Sequence, residues 1–543
     1  MIKATRIVQT LVLLALIVAS CAPVGAPNAP AGVTPTAPAP PTERPSHGGT
    51  LTLITPEPPP HFDMHQQTPL IALGPLSPNY SLLVKRDPKD LSKVVPDLAE
   101  KWETSPDGLA VTFTLRKDVK WHDGKPFTAA DAVASLDRIL SPPKGIVTAW
   151  RELFPNVARV EQQGDYVIRV ILKRPQASLL SMLSFDPIQI YPKHVLDAQL
   201  DMKKSVVGTG PFKFKGYVPG ISFESVRNPD YYLKGLPYLD GLKYVIVKDP
   251  SAQLAAFRTG QIDVGWPGLH QLEPKEIEEV RKTTNLRIYE KLVPIANYLA
   301  LNNQQKPFND VRVRRAVDLV IDRQAVSALI GQGAGVVGWY MMPGTVWAVS
   351  DADLGKKAGY RQPKNEDIAE AKRLMTEAGY PKGFSTSLIT RGLPRWARLA
   401  EVVQDQLKPI GVTTSIRLEE YGTLISHLKS KQFEMTIYTA GAALADPDAW
   451  LGAQYVTGSV QNYAAFRNER FDKLFTDQSV TEDFQKRRAL VLEMQNILAE
   501  QAPLTVLFWE NWAWVLNPRL RGFVVPADSQ KLGLRFDNMW LAP

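Results

Sequence analysis

Ser426 and Lys429 stand in a Ser-x-x-Lys pattern, the spacing at which a lysine can assist a serine nucleophile. The Ser-Asp-Asn and Lys-Thr-Gly motifs that accompany this pattern in serine acyl-enzymes are absent from the sequence. The sequence also lacks a Gly-x-Ser-x-Gly elbow, a His-Glu-x-x-His zinc motif and a phosphate loop ending in Gly-Lys-Ser or Gly-Lys-Thr. We therefore expect no catalytic residue and no enzyme activity.

Two histidines and a carboxylate lie close together in the segment His61-Phe62-Asp63-Met64-His65. Such side chains can bind zinc, but a closed site usually takes four ligands. The proline run before His61 also argues against a helix that would bring both histidines onto one face. We expect no metal and no other cofactor.

Aromatic and charged residues concentrate in the second half of the chain. Aromatic walls with a few fixed charges suit a pocket for a small amphipathic ligand. The residues concerned are Trp396, Trp450, Trp509, Trp512 and Trp514, close in sequence to Arg395, Asp446, Asp448 and Glu510.

Strands and helices that would position these residues are mixed along the chain, which favours an α/β or α+β body. Thr128 and Asp131 are suited to the start of a helix, and Asp310 precedes another. Further helices are predicted at 365–378, 395–407 and 487–498 from apolar spacing and end signals. Strands are predicted at 51–54, 111–116, 244–247, 414–418, 434–438 and 504–508.

The composition is that of a soluble protein of more than one domain. Hydrophobic residues make up 44% and charged residues 22% of 543 residues. The net charge of +8 comes with only short basic clusters, such as Lys203-Lys204, Arg314-Arg315 and Arg487-Arg488. These clusters predict solvated helix faces and not a nucleic-acid partner, which would need a concentrated basic surface.

The N-terminus predicts export and a lipid anchor. Lys3 and Arg6 precede an uncharged run from Ile7 to Ala19, and Val18-Ala19-Ser20-Cys21 resembles the bacterial lipobox. The apolar run is too short for a typical transmembrane span of about 20 residues. Residues 1–20 are thus predicted to be a lipoprotein signal peptide, with the thiol of Cys21, the only cysteine, acylated.

Residues 21–47 are predicted to be a tether that begins at the lipidated cysteine. After Cys21 they are rich in Pro and Ala and contain no Leu, Ile, Phe, Tyr or Trp, so they cannot form a core. At the polyproline rise of about 3.1 Å per residue, this segment would span up to roughly 80 Å.

Several blocks of the sequence resemble one family of binding proteins. The early blocks are PDLAEKWE at 96–103, FTLR at 113–116 and WHDGKPFTAAD at 121–131; later ones include GTGPF at 208–212, NPDYY at 228–232, GQID at 260–263, FNDVRVRRAV at 308–317 and EAGY at 377–380. With Asp446-Pro447-Asp448 they identify the chain as a member of the family 5 solute-binding proteins of ABC transporters, the dipeptide, oligopeptide and nickel group.

The resemblance implies a two-lobed, periplasmic-binding-protein-like α/β fold with a hinge. The first lobe would be discontinuous and carry an extra subdomain. It would span residues 48–297 and resume at 513–543, with the second lobe at 298–512. Ligand would be enclosed between the lobes.

The resemblance also implies the candidate ligand-binding residues. Peptide-binding members usually carry an aspartate about three residues before the Asp-Pro, and it pairs with the ligand's α-ammonium. Residues 442–445 are Ala-Ala-Leu-Ala here, so either Asp446 takes over this role or Asp446 and Asp448 only shape a loop. Arg391 stands where members can hold a ligand carboxylate, Arg395 is the second choice, and Asn79, Tyr80 and Trp450 are predicted pocket walls.

We accordingly expect a monomeric receptor outside the cytoplasm, anchored to the membrane by its lipidated cysteine. It would bind a peptide or similar small solute and deliver it to the transmembrane subunits of an ABC permease. The alternatives are a receptor for an oligosaccharide or a nickel chelate, and a lipid-anchored hydrolase.

Overall fold

The structure, a computed structural model, describes residues 44–66, 70–87, 93–148, 150–266, 272–331, 335–442, 445–525 and 535–542. The predicted signal peptide, the lipidation of Cys21 and the tether up to residue 43 lie outside the described residues.

The strands of the described residues form one large sheet and three smaller ones. In chain order they are β1 (Thr50–Thr55), β2 (Val84–Arg86), β3 (Val94–Pro96), β4 (Ala99–Thr104), β5 (Ala110–Leu115), β6 (Val157–Gln162), β7 (Val167–Leu172), β8 (Phe212–Val218), β9 (Ser222–Arg227), β10 (Gly241–Ile246), β11 (Val264–Gly265), β12 (Arg287–Leu301), β13 (Gly335–Val336), β14 (Ser385–Arg391), β15 (Thr413–Glu419), β16 (Met435–Gly441), β17 (Leu504–Leu516), β18 (Leu520–Arg521) and β19 (Trp540–Leu541).

The helices cover the sheets. They are α1 (Leu70–Leu76), α2 (Ala129–Leu140), α3 (Leu179–Leu183), α4 (Lys193–Asp197), α5 (Pro250–Arg258), α6 (Pro274–Thr283), α7 (Val311–Val320), α8 (Arg323–Gly331), α9 (Asp351–Leu354), α10 (Asn365–Glu377), α11 (Pro394–Leu407), α12 (Tyr421–Ser430), α13 (Pro447–Tyr455), α14 (Glu469–Ser479) and α15 (Phe484–Gln501), with 3₁₀ turns at Met64–Gln66, Ser77–Asn79, Arg151–Leu153 and Lys408–Ile410.

The large sheet has two halves that meet at two long strands. Its order is β15-β14-β16-β12-β17-β11-β1-β10-β9-β8, and β13 also pairs with β17. Strand β12 pairs antiparallel with β17 from Arg287↔Leu516 to Ala300↔Leu504, but the register shifts between Leu292 and Ala296. Because β12 and β17 run through both halves, they are the described strands that connect them.

Local sequence signals explain the starts of some of these helices. Helix α2 starts where Thr128 and Asp131 predicted a helix start, and the two residues form a capping box there, in which each satisfies an N–H at the helix start. The Asp310 carboxylate likewise accepts a hydrogen bond from the Arg312 N–H at the start of α7. Strand β17 continues well beyond the predicted 504–508, because its long pairing with β12 stabilises it.

A second sheet, β4-β5-β7-β6, is antiparallel and packs with α2 and α3 around a core of its own. Phe113, Trp121, Leu136 and Ile168 are buried in that core. Buried side chains of this kind account for most of the stabilisation of a domain.

The predicted lobe boundaries fall inside the two connecting strands. The boundary at 297/298 lies within β12, and the boundary at 512/513 lies within β17. The described C-terminal residues pack against N-terminal ones: the Ser46 hydroxyl donates to the Leu541 carbonyl, and Arg535 pairs with Asp97. The boundaries themselves stay a prediction.

Candidate functional site

A cavity of about 960 Å³ lies where the two halves of the large sheet meet. Lys291 and Leu292, at the register shift of β12, form part of its wall. Other walls come from Arg86 at the end of β2, Ser181 in α3, the loop at 342–347, the turn of α9, and Ala445 and Asp446. Cavities with mostly apolar walls and a few polar groups are the usual form of small-molecule sites.

Asp446 reaches the cavity because it caps helix α13. Its carboxylate accepts a hydrogen bond from the Asp448 N–H at 2.9 Å, and Pro447 fixes the first turn. The same carboxylate accepts two hydrogen bonds from the Arg487 guanidinium, at 2.8 and 3.1 Å. Such a bidentate pair places a full positive charge against the carboxylate.

Burial raises the pKa of Asp446, and Arg487 opposes that shift while Asp448 adds to it. On the other side of the pair, burial lowers the pKa of Arg487, but the charge and hydrogen bonds of Asp446 outweigh it and raise that pKa overall. The pair is therefore an ion pair held in a largely water-excluded place.

Arg487 also supports the loop at 342–347, which lines the cavity. Its guanidinium lies 4.9 Å from the ring centroid of Trp347, and its Nε donates to Gln478. Two more residues of α15 hold the same loop: Arg488 donates to the Val346 carbonyl and Gln495 to the Trp347 carbonyl. The sequence predicted that Arg487 and Arg488 both lie on a solvated helix face. This prediction is wrong for Arg487, which is buried, and is confirmed for Arg488, which is exposed.

Asp448 and Trp450 lie beside the cavity and do not line it. The Asp448 carboxylate accepts hydrogen bonds from the Gln478 amide and the Ser479 hydroxyl, at 2.5 and 2.6 Å, which joins α13 to α14. Trp450 is 1% exposed and packs against Trp509 with 4.6 Å between ring centroids. Both residues stabilise the segment that presents Asp446.

The two predicted arginines are not brought to the cavity either. Arg391, at the end of β14, lies over the ring of Tyr421 at 4.8 Å. Arg395, in α11, donates to both carboxylate oxygens of Glu510, at 3.0 and 3.2 Å. Their predicted contact with a ligand carboxylate has no support in this geometry.

Asn79 and Tyr80 are part of the core and not walls of the cavity. Both side chains are fully buried. The Asn79 amide donates to the Pro75 and Leu76 carbonyls and accepts from the Ser225 hydroxyl, so its polar atoms serve the fold.

The sequence reasoning missed Arg86, Lys291 and the loop at 342–347. No motif marks them, and they reach the cavity only because distant segments meet there. Within the described ranges, no cluster of three or more His, Cys, Asp or Glu side chains could hold a metal ion. In the same part of the chain, no helix has the length and apolar character needed to cross a membrane.

Comparisons with known proteins agree on one family. The family model described as "Bacterial extracellular solute-binding proteins, family 5 Middle" matches residues 93–462. Heme-binding protein A of Haemophilus influenzae is 30% identical over 80% of this chain and 82% of that protein. The dipeptide-binding protein of Escherichia coli is 28% identical over 80% of this chain and 84% of that protein.

A solved structure shows the same fold. The periplasmic binding protein DppA of Helicobacter pylori, associated with an ABC transporter and bound to the peptide STSA, superposes with a TM-score of 0.77 at 25% identity. The match covers 92% of this chain and 99% of that one. The predicted two-lobed α/β fold class is thereby confirmed.

Proposed function

The chain belongs to family 5 of the bacterial extracellular solute-binding proteins, and from this membership we propose that it captures a peptide or similar small solute and delivers it to the permease of an ABC importer. The observation that carries the proposal is the cavity of about 960 Å³ at the junction of the two sheet halves. A solute in this cavity would contact both halves and so stabilise their closed arrangement.

We expect the protein to bind peptides without cleaving them. At a ligand concentration 100 times the dissociation constant, the folded protein should gain about 2.7 kcal/mol of stability. Calorimetry and thermal unfolding with dipeptides, tripeptides and longer peptides measure this gain. Chromatography of the ligand after incubation is the control, and cleaved peptide would contradict a binding function.

We further propose that Cys21 carries the lipid anchor. The support is the lipobox-like run Val18-Ala19-Ser20-Cys21 after a basic start and an apolar stretch. A thioether-linked diacylglycerol on the thiol brings two acyl chains, which together would hold the protein stably at a membrane.

The Cys21→Ser variant is expected to lose acylation completely, because serine offers no thiol. Mass spectrometry of the N-terminal peptide from the membrane fraction measures the acyl chains. Ser20→Ala is the matched control, since it keeps a small residue before the cysteine and should remain acylated. Acyl chains on the Cys21→Ser protein would refute the attachment site.

A further inference from the structure

One face of strands β8, β9 and β10, at the edge of the large sheet, is partly open to solvent. Strand β8 ends the sheet order, and β9 pairs antiparallel with both β8 and β10. Since side chains alternate between the two faces of a strand, Phe223 points into the core, whereas Glu224 and Val226 point the other way. Phe223 packs there against Phe62. We call the face that carries Glu224 and Val226 the outer face.

The outer face and the adjoining hairpin turn expose apolar side chains. The exposed fractions are 39% for Val226, 50% for Val218 and 64% for Ile221. Ile221 lies in the turn between β8 and β9, and its carbonyl accepts a hydrogen bond from the Ile246 N–H, which ties the turn to the sheet. Exposed apolar side chains that are rimmed by polar ones are a common mark of an interaction surface.

The charges beside these apolar residues are mostly positive. The three strands contain four basic residues and one acidic residue, which are Lys213, Lys215, Arg227, Lys243 and Glu224. Glu224 pairs with two of the lysines, Lys215 at 3.1 Å and Lys243 at 3.4 Å, so two ammonium groups share one carboxylate. Arg227 pairs with Asp240, just before β10. The positive charge of the strands is therefore in excess even when every ion pair is counted.

The predicted tether ends at the same part of the sheet. The Gly48 N–H, directly after the tether, donates to the Tyr238 carbonyl. In the strand register Thr50, Gly241 and Val226 then lie side by side in one row. At about 4.8 Å between strands and about 3.3 Å per residue, the outer face extends about 14 Å across and about 17 Å along the strands from Thr50. Both distances are short beside the roughly 80 Å that the tether would span.

We propose that the outer face docks on an anionic membrane surface, with Val218 and Ile221 reaching the headgroup region and the lysines contacting lipid phosphates. The docking goes beyond solute binding and rests on the proposed anchor at Cys21. Lipid phosphates complement the excess positive charge of the face, and aliphatic side chains gain free energy when they leave water at the interface. Each contact is weak alone, but the anchor keeps the membrane within reach.

The test measures how fast single lysines react while the protein is bound to vesicles. The chain from Cys21 onward is coupled through its only thiol to a maleimide phospholipid, so it is anchored whether or not a cell acylates it. The vesicles consist either of phosphatidylcholine alone or of phosphatidylcholine mixed with phosphatidylglycerol. Acetylation with an N-hydroxysuccinimide ester, followed by mass spectrometry, gives the reaction rate at each lysine.

We expect Lys213, Lys215 and Lys243 to react at least about threefold more slowly on the anionic vesicles than on the neutral ones, because lipid phosphates cover them. High salt should abolish this protection, since it screens the attraction. Three exposed lysines of other segments, each paired with one aspartate, are the internal controls and should react equally fast on both vesicles. These are Lys356, Lys408 and Lys473.

Two variants then locate the contact. Ile221→Asp should remove most of the protection, because its carboxylate is repelled by the anionic surface and the aliphatic contact is lost. Leu329→Asp is the matched control and should leave the protection unchanged, since Leu329 lies in α8 and is also 64% exposed. Calorimetry with peptides shows whether each variant is folded, because neither residue lines the cavity.

The outcomes separate this docking from the receptor function and from the anchor. Equal rates of the outer-face lysines on both vesicles would overturn the docking and leave the face for a protein partner. Equal protection of the control lysines would also overturn it, because the body would then approach the membrane without a preferred face. Failure to bind peptides would contradict the receptor function alone. Absence of acyl chains on Cys21 in cells would contradict the natural anchor, whereas the coupled lipid still tests the docking.

Discussion

The Arg487→Met variant is expected to lose about 3–5 kcal/mol of unfolding free energy. The methionine preserves much of the side-chain volume but leaves the Asp446 carboxylate without its two hydrogen bonds. Both partners are largely buried, with side chains 8% and 16% exposed, so water cannot replace the lost contact fully. Chemical denaturation of the ligand-free protein, followed by circular dichroism, measures the change.

Two further variants show whether the unbalanced charge is the cause. Arg488→Met is the matched control on the same helix, because Arg488 is exposed and donates to the backbone carbonyl of Val346, not to a carboxylate. It should have a much smaller effect. Adding Asp446→Asn to Arg487→Met removes the orphan charge yet keeps an N-cap side chain, so most of the stability should return. Equal losses for the two arginine variants would contradict the explanation.

The Arg535→Met variant is expected to lose about 3 kcal/mol, the lower end of the range for a broken buried ion pair. Arg535 donates to Asp97 at 2.8 Å and to the Tyr231 hydroxyl at 2.8 Å, which joins the C-terminal residues to the first part of the chain. The Asp97 side chain is fully buried. Lys85 remains 3.8 Å from the carboxylate, so part of the balancing charge survives.

The loss in Arg535→Met should depend on pH. Burial acts to raise the pKa of Asp97, but the charges of Arg535 and Lys85 and its hydrogen bonds outweigh burial and lower that pKa. A carboxyl with a lowered folded pKa stabilises the protein above its unfolded pKa of about 3.9, and this stabilisation disappears as the pH falls through the folded pKa. The difference between wild type and variant should therefore be complete at neutral pH and shrink in strong acid.

Denaturation at pH 7 and below pH 4 measures this dependence. Arg159→Met is the control, because Arg159 pairs with Glu161 on the surface, where an ion pair contributes little. A pH-independent difference in Arg535→Met would show that lost packing, and not the Asp97 charge, explains the result.

Much of the fold follows from local signals in the sequence. The capping box at Thr128 and Asp131 and the apolar spacing after Asp310 place α2 and α7 within one residue of their observed starts. The full length of β17 could not be predicted, because its second part is stabilised by pairing with β12, more than two hundred residues away.

The candidate site was predictable only in part. The Asp446-Pro447-Asp448 run identified Asp446, which lines the cavity. Its partner Arg487 lies 41 residues further on, in a pair of arginines with no distinguishing feature in the sequence. Arg391 and Asn79 could not be excluded from the pocket by sequence, since both are polar residues whose burial depends on other segments.

The sequence by itself determined the family, the mixed α/β character and the positions of some helices and strands, because these depend on motifs and on spacing within short segments. Only the tertiary structure decided which charges face the cavity and which are balanced behind it. Four separate elements contribute the charged residues at and next to the cavity, which are Arg86, Lys291, Asp446 and Arg487. These charges come close enough to interact only when the chain is folded. The physical reason is that electrostatic interactions depend on distance and burial in space, and neither quantity can be read from positions along the chain.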